Sequence, residues 1–202
     1  DNVEGKSWKL CISSSSIGYN IPYSTFRNAT GGNKTVNGAT ILETGIWYHI
    51  TGTFDGVNQK IYVNGFLDNS QTQSNASINT SSTDITIGGN NQGTTALMHG
   101  QIDDVFLFDF AMNEDQVTLA AESKLDGDED GLLSYWNFDA SEGDIIFDRT
   151  GNYKHGTIYG AFWLERENFG CLDPYAFNFD TDVNVDDGSC FGYPEDENQL
   201  LR

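Results

Sequence analysis

Basic residues are scarce in this chain. Lys and Arg number 10 against 30 Asp and Glu in 202 residues, a formal net charge of −20. A field of that sign repels phosphate backbones and anionic lipid surfaces, which excludes nucleic acid and membrane-surface partners. No apolar stretch is long enough to cross a bilayer, so membrane insertion is excluded too. Gly-x-Ser-x-Gly is missing, and so is a Gly-rich phosphate loop. The 3 histidines, His49, His99 and His155, lie far apart with no Cys or carboxylate at ligand spacing, which argues against zinc. His49 reads as a packed, hydrogen-bonded strand residue. Proline is down to 3 residues and cysteine to 3. The chain opens on Asp1 with no signal segment, and is expected to be a processed product or a piece of a larger chain.

What is abundant points to strands. The chain holds 22 Gly, 13 Phe, 9 Tyr and 4 Trp. Short runs of Val, Ile, Thr, Tyr and Phe alternate with Asn, Gly, Asp and Ser, the rhythm of many strands joined by turns. Ile46–Phe54 alternates, with Tyr48, Ile50 and Phe54 on one face and Trp47, His49 and Thr51 on the other. Asp55-Gly56 is a turn. Asn64-Gly65 after Gln59–Val63 is a strong hairpin signal. Asp68–Thr83 reads as a long exposed loop, Asp84–Ile87 as a strand, and Gln101–Phe110 as another. One helix is expected from the Asn113 cap to about Ser123, with Gln116 closing a capping box. Further strands are expected at Leu133–Phe138, Ile145–Phe147 and Thr157–Trp163.

Cysteine arithmetic gives one disulfide, Cys171–Cys190, and one buried free thiol, Cys11 in the apolar run Trp8–Ile12. The disulfide implies an oxidising compartment, hence a secreted or cell-surface protein. Sequons occur at Asn28, Asn33, Asn75 and Asn79. They matter only if the source glycosylates them.

The series Gly45-Ile46-Trp47-Tyr48-His49-Ile50-Thr51-Gly52-Thr53-Phe54-Asp55-Gly56 and Ile61-Tyr62-Val63-Asn64-Gly65 resembles the centre of laminin-G-like and pentraxin-like domains. Ile85–Gly89, Gly100–Val105 and Phe108–Val117 resemble the later strands and short helix of that family. The resemblance covers roughly residues 5–124. It implies an all-β, two-sheet antiparallel jelly-roll sandwich of the concanavalin A-like kind. Glu129–Phe138, Asp148–Asn152, His155–Ile158 and Gly160–Trp163 are similar to the opening of such a repeat. Gly170-Cys171-Leu172-Asp173-Pro174 and Asp186-Asp187-Gly188-Ser189-Cys190 resemble a short Cys-to-Cys repeat. Both occur in multi-domain surface proteins of marine Bacteroidetes-type bacteria.

The order of these segments leaves two readings. Either the chain is a window cut from a repeat array, or residues 132–163 fold back to complete one sandwich. The expected division is 1–125 for the sandwich, 126–165 for the opening strands, and 166–202 for the Cys-closed acidic repeat and tail.

The resemblance implies a carbohydrate or glycoconjugate ligand at rim loops, met with help from calcium in related domains. Asn90, Asn91 and Gln92 stand at the rim loop, amides where pentraxins have carboxylates, so a calcium site there is weaker. Asp126, Asp128 and Asp130 make half an EF-hand loop and read as a solvated linker. Asp173, Asn178, Asp180, Asp182, Asp186 and Asp187 crowd the disulfide-closed loop, where a calcium ion would relieve their repulsion. Catalysis is not expected. A glycosidase needs two carboxylates across a cleft, and Asp103 and Asp104, adjacent on a strand, point to opposite faces. The ligand is expected to be a glycan or a surface protein. Trp47, Tyr62 and Phe66 are aromatics that could stack on sugars. The rival expectation is a spacer or assembly repeat of a large surface protein or filament, with self-association or head-to-tail assembly and no small ligand.

Overall fold

The computed structural model describes residues 8–13, 20–29, 32–74, 76–80, 82–89, 96–164 and 169–192. The chain divides into two compact units, residues 1–140 with 144–160, and residues 141–143 with 161–202.

The larger unit is an antiparallel sandwich. One sheet runs β1 (Trp8–Ile12), β2 (Pro22–Arg27) and β3 (Asn33–Asn37) in that order. The other runs β4 (Ile50–Phe54), β5 (Asn58–Val63) and β6 (Phe66–Thr72). Turn chemistry sets the second sheet's register. Asp55 Oδ1 accepts the backbone N–H groups of Val57 at 2.8 Å and Asn58 at 2.6 Å, closing the β4–β5 turn. Asn64 and Gly65 have φ of 49° and 83°, which suits a two-residue hairpin between Val63 and Phe66.

The sheets meet through side chains of both. The rings of Phe26 on β2 and Phe54 on β4 lie 4.5 Å apart. Gln59 is fully buried, and its Nε2 donates to the Ser24 carbonyl at 2.9 Å, while Gln73 Nε2 donates to Gln59 Oε1 at 2.9 Å. The pairing matters because a buried amide without partners would cost about 1–3 kcal/mol. Ile61 and Val36 are likewise fully buried, each stabilising by about 1.5–3 kcal/mol through apolar area removed from water.

The helix α1 (Glu114–Glu122) forms as the sequence dictates. Asn113 Oδ1 accepts the Gln116 N–H and Gln116 Oε1 accepts the Asn113 N–H, both at 2.9 Å. Val117 and Ala120 are its buried residues. The β5–β6 hairpin tip lies against it. A Cβ on Gly65 would come within 3.1 Å of Thr118 Cα, and Thr118 Oγ1 donates to the Gly65 carbonyl at 3.1 Å.

β7 (Val105–Phe108) pairs antiparallel with β8 (Leu132–Trp136), the contact that a fold-back of residues 132–163 would need. β8 places Ser134, Tyr135 and Trp136 in the interior. Trp136 Nε1 donates to the Lys154 carbonyl at 2.8 Å. Asp148, 6 % exposed, accepts the N–H groups of Tyr135, Thr150 and Lys154 at 3.0–3.1 Å, so it fastens the following loop to β8. The short pair β9 (Ile145–Ile146) and β10 (Gly156–Thr157) completes the unit.

Several local expectations are corrected. Asp68–Thr72 belongs to β6, because the hairpin carries the ladder onward and Asp68 binds the Ala39 N–H at 2.7 Å and the Thr40 hydroxyl at 2.6 Å. Asp84–Ile87 forms no strand, having no ladder partner among the described residues, and Ile85 is 49 % exposed. In β4 the buried residues are Thr51 and Thr53, while Ile50 and Phe54 are half-buried. Tyr62 is fully buried and unavailable to a ligand, whereas Trp47 and Phe66 are exposed. Cys11 is a free thiol but only half-buried. Asn28, in one of the four sequons, is buried, its Oδ1 accepting the Ser77 N–H at 3.0 Å.

The smaller unit pairs β11 (Phe169–Gly170) with β12 (Val185–Asp186) in parallel. The expected disulfide joins Cys171 to Cys190, with Cys171 buried.

Candidate functional site

A cleft of about 180 Å³ opens in the larger unit beside the end of α1. Its floor is β7 and β8, carrying Phe106 and Tyr135. One wall is the last turn of α1 and the residues after it, Ala120 to Leu125. His49, one residue before β4, supplies the opposite side. Asp104 reaches in from the residue before β7.

Aromatic alternation on β7 builds the apolar part. Phe106 and Phe108 share a face, with rings 5.9 Å apart, and Phe110 continues the series 5.4 Å from Phe108. The His49 ring stacks on Phe106 at 5.7 Å. Burial lowers the His49 pKa, against the pull of the Asp104 charge, so the imidazole is neutral near pH 7.

The polar part rests on an unusual backbone. Asp104 has φ of 49°, the left-handed region that a non-glycine residue seldom occupies. The Asp104 N–H donates to Asp103 Oδ1 at 3.1 Å, and the Tyr135 hydroxyl donates to Asp104 Oδ1 at 2.6 Å. Burial raises the Tyr135 pKa, and the hydrogen bond to Asp104 with the charges of Asp104, Asp139 and Asp103 raises it further. Burial also raises the Asp103 pKa, followed by the charges of Asp104 and Asp139. Asp104 thus turns its carboxylate to the phenol, while Asp103 Oδ1 is taken up by the Asp104 N–H. Lys124 Nζ lies 3.7 Å from Asp139 Oδ2, which also accepts from Asn137 Nδ2 at 2.7 Å.

The arrangement offers a ring face, a carboxylate and an ammonium group on one small surface. That combination can hold a hydroxylated ring through apolar contact and directed hydrogen bonds.

The acids of the disulfide-closed loop behave differently. Asp173 Oδ1 accepts the Tyr175 N–H at 3.0 Å, and Asp180 Oδ1 the Asp182 N–H at 2.9 Å. Asp186 Oδ1 accepts the Gly188 N–H at 3.0 Å, and Asp187 Oδ1 the Ser189 N–H at 2.9 Å. Hydrogen bonds from the Ser189 side chain and backbone hold the Asp187 pKa below its usual value. Asn178 binds the Phe191 N–H and the Ser189 carbonyl, both at 2.9 Å. Asp173, Asp180, Asp186 and Asp187 thus each shape their own turn, and Asn178 ties the loop to the stretch around Cys190. Among the described residues no group of three or more His, Cys, Asp or Glu gathers as a metal would need. In the Asp126–Asp130 linker it is Glu129 that accepts the N–H groups of Asp126 at 2.7 Å and Gly127 at 3.0 Å. Asn90, Asn91 and Gln92 lie outside the described residues.

The sequence offered Trp47, Tyr62 and Phe66 as stacking aromatics, none of which lines this cleft, and the cleft residues His49, Asp104, Phe106 and Tyr135 went unassembled. The available signal was the Asp103-Asp104 pair directly ahead of the aromatic run Val105–Phe108.

A two-sheet sandwich with a polar cleft beside its one described helix is a lectin-like architecture. Residues 3–118 match the laminin-G-type family model of the concanavalin A-like lectin/glucanases superfamily. This is more than half of the chain, and the chain belongs to that superfamily. A crystal structure from Bacteroides ovatus, provisionally assigned as a carbohydrate binding protein, aligns with TM-score 0.61 at 25% identity. The alignment covers 76% of this chain and 45% of that one, so this chain spans less than half the length of that relative. An S-layer domain-containing protein from Clostridium thermocellum aligns over 50% of this chain and 52% of that one, at 23% identity and TM-score 0.36, too loosely to carry an argument. No curated protein matches the chain.

Proposed function

We propose that this chain is a non-catalytic, extracellular carbohydrate-binding module whose sugar site is the cleft between α1, β7 and β8. The observation that carries the reading is the Asp104–Tyr135 pair beside the Phe106 and His49 rings. It presents an acceptor of fixed direction next to an apolar face on a sandwich like that of the Bacteroides ovatus protein. The disulfide supports a location outside the cytoplasm. The cleft is smaller than the roughly 300–1,000 Å³ that encloses drug-sized ligands, so it suits one sugar ring or a chain end. Affinity between about 10 μM and 1 mM is expected for so shallow a site.

A glycan array read with calcium and with EDTA tests this, followed by calorimetry on the strongest ligand. Asp104→Ala is expected to weaken binding at least about tenfold, the size of one lost charge-assisted hydrogen bond, with no reducing ends released. Retention of no glycan, or binding indifferent to Asp104→Ala, sinks the assignment.

A second reading, an assembly repeat, is favoured by one feature of the smaller unit. Phe169, Tyr175, Phe177 and Phe191 are each at least 60 % exposed there. Exposed large aromatics in so small a unit are the material of an association site. Concentration-dependent sedimentation that Tyr175→Ser with Phe177→Ser abolishes would favour it.

A further inference from the structure

We propose that the β9–β10 ribbon carries a second sugar site, a small aromatic platform of Phe147, Tyr153 and His155 that takes a β-linked glucose chain on its rings. It stands on residues apart from the cleft, so either site can fail alone.

Strand pairing builds the platform. β9 and β10 pair Ile146 with Gly156, and the register runs on to Phe147 and His155, whose rings lie 5.3 Å apart, edge to face. Tyr153 joins from the connecting loop, its ring 6.1 Å from His155 and again edge to face. That loop is anchored on both sides of Tyr153. Asn152 Nδ2 and Lys154 Nζ each donate to the Leu133 carbonyl at 3.1 Å. Between them Tyr153 has φ of 57°, a left-handed backbone that a bulky residue rarely adopts, and it is 82 % exposed. The strained backbone thus holds an aromatic ring out in solvent instead of packing it. His155 is exposed too, and its Nδ1 accepts the Asp148 N–H at 3.0 Å. In the neutral imidazole the proton then sits on Nε2, which gives a donor beside the rings.

Area decides between a sugar and a protein partner. Phe147 is 50 % exposed, so with Tyr153 it offers on the order of 300 Å² of ring surface. A stable protein interface takes roughly 800 Å² from each partner, too much for this platform. One or two sugar rings fit it. The equatorial hydroxyls of a β-glucose unit leave axial C–H groups on its faces, which lie flat on aromatic rings. Its hydroxyl rim meets the His155 donor and the Tyr153 hydroxyl.

An NMR titration of the whole chain tests the proposal, with β-linked tetramers of glucose and of mannose as probes. The glucose tetramer is expected to shift the signals of Phe147, Tyr153 and His155. The mannose tetramer, with an axial hydroxyl on each ring, should shift them less. Asn tolerates the left-handed backbone, so Tyr153→Asn keeps the turn and removes the ring. It should weaken the glucose tetramer about fivefold, the size of one lost aromatic contact, without lowering the melting temperature. A lower melting temperature with binding unchanged would make the ring structural and overturn the site. Equal shifts from both tetramers overturn the glucose assignment. Self-association that Tyr153→Asn abolishes, with no shift from either sugar, gives the face to a second copy and overturns the proposal. Shifts confined to His49, Phe106 and Tyr135 overturn this site and leave the cleft reading standing. No shift anywhere overturns this site alone, because the cleft is judged on the full glycan array.

Discussion

Two regions of this protein are rich in carboxylates, and they use them in opposite ways. In the disulfide-closed loop, Asp173, Asp180, Asp186 and Asp187 each accept a backbone N–H two residues ahead. Beside α1, Asp104 instead accepts from the Tyr135 hydroxyl, 31 residues along the chain, at the edge of a cleft that Lys124 also lines. What differs is where the charge goes, into local turns in one and onto a shared surface in the other. A long-range contact at a cleft, not the number of acids, makes the second a candidate site.

Opening the disulfide should have the largest effect. Cys171 and Cys190 are separated by 19 residues, a loop whose closure stabilises by about 3 kcal/mol. Reduction is expected to make residues 169–192 protease-sensitive while the sandwich keeps its melting temperature. If the sandwich melts earlier as well, the two regions are not energetically separate.

Asp148 comes next. Burial would raise its pKa, but the N–H groups of Tyr135, Lys154 and Thr150 outweigh that and hold it below the usual carboxylate value. Its folded pKa is thus depressed, so its stabilisation is fully present above the unfolded pKa of about 3.9 and is lost as pH falls through the folded value. Asp148→Ala should cost about 2–3 kcal/mol at pH 7, by urea denaturation, and flatten the acid limb below about pH 4. An unchanged acid limb would assign that limb to other carboxylates.

Tyr135→Phe sharpens the contrast at the cleft itself. It removes the donor to Asp104 and should cost about 1 kcal/mol of stability, together with a severalfold loss of sugar affinity. Stability lost with no change in affinity would make the pair structural only.

The smallest effects belong to the acidic loop. Asp180→Asn keeps a turn-forming acceptor and should change stability by less than about 0.5 kcal/mol, with sugar binding intact. Addition of about 1 mM calcium should move the melting of this loop little, because its carboxylates do not converge. A clear calcium-dependent rise would erase the contrast, by showing that these acids do gather on a cation.

Much of the fold was legible because its signals are local. The Asn64-Gly65 hairpin, the Asn113–Gln116 capping box and the Cys171–Cys190 pairing each depend on neighbouring residues or on simple arithmetic. Asp84–Ile87 misled for the same reason. A β-branched run suggests a strand, but a strand exists only where another backbone completes its hydrogen bonds. Asp68–Thr72 misled in reverse, being polar yet carried into the sheet by the hairpin before it and by the Asp68 bonds to Ala39 and Thr40.

The sequence by itself determined the strand-and-turn rhythm, the one capped helix, the disulfide and the acidity. Tertiary structure alone decided that β8 lies on β7, and hence that Tyr135 meets Asp104 across 31 residues of chain. It also decided that Asp104 leaves the extended backbone and meets that hydroxyl, while Asp103 is taken up by the Asp104 N–H. Short-range periodicity carries no record of such pairings, because they are fixed by which distant surfaces bury each other.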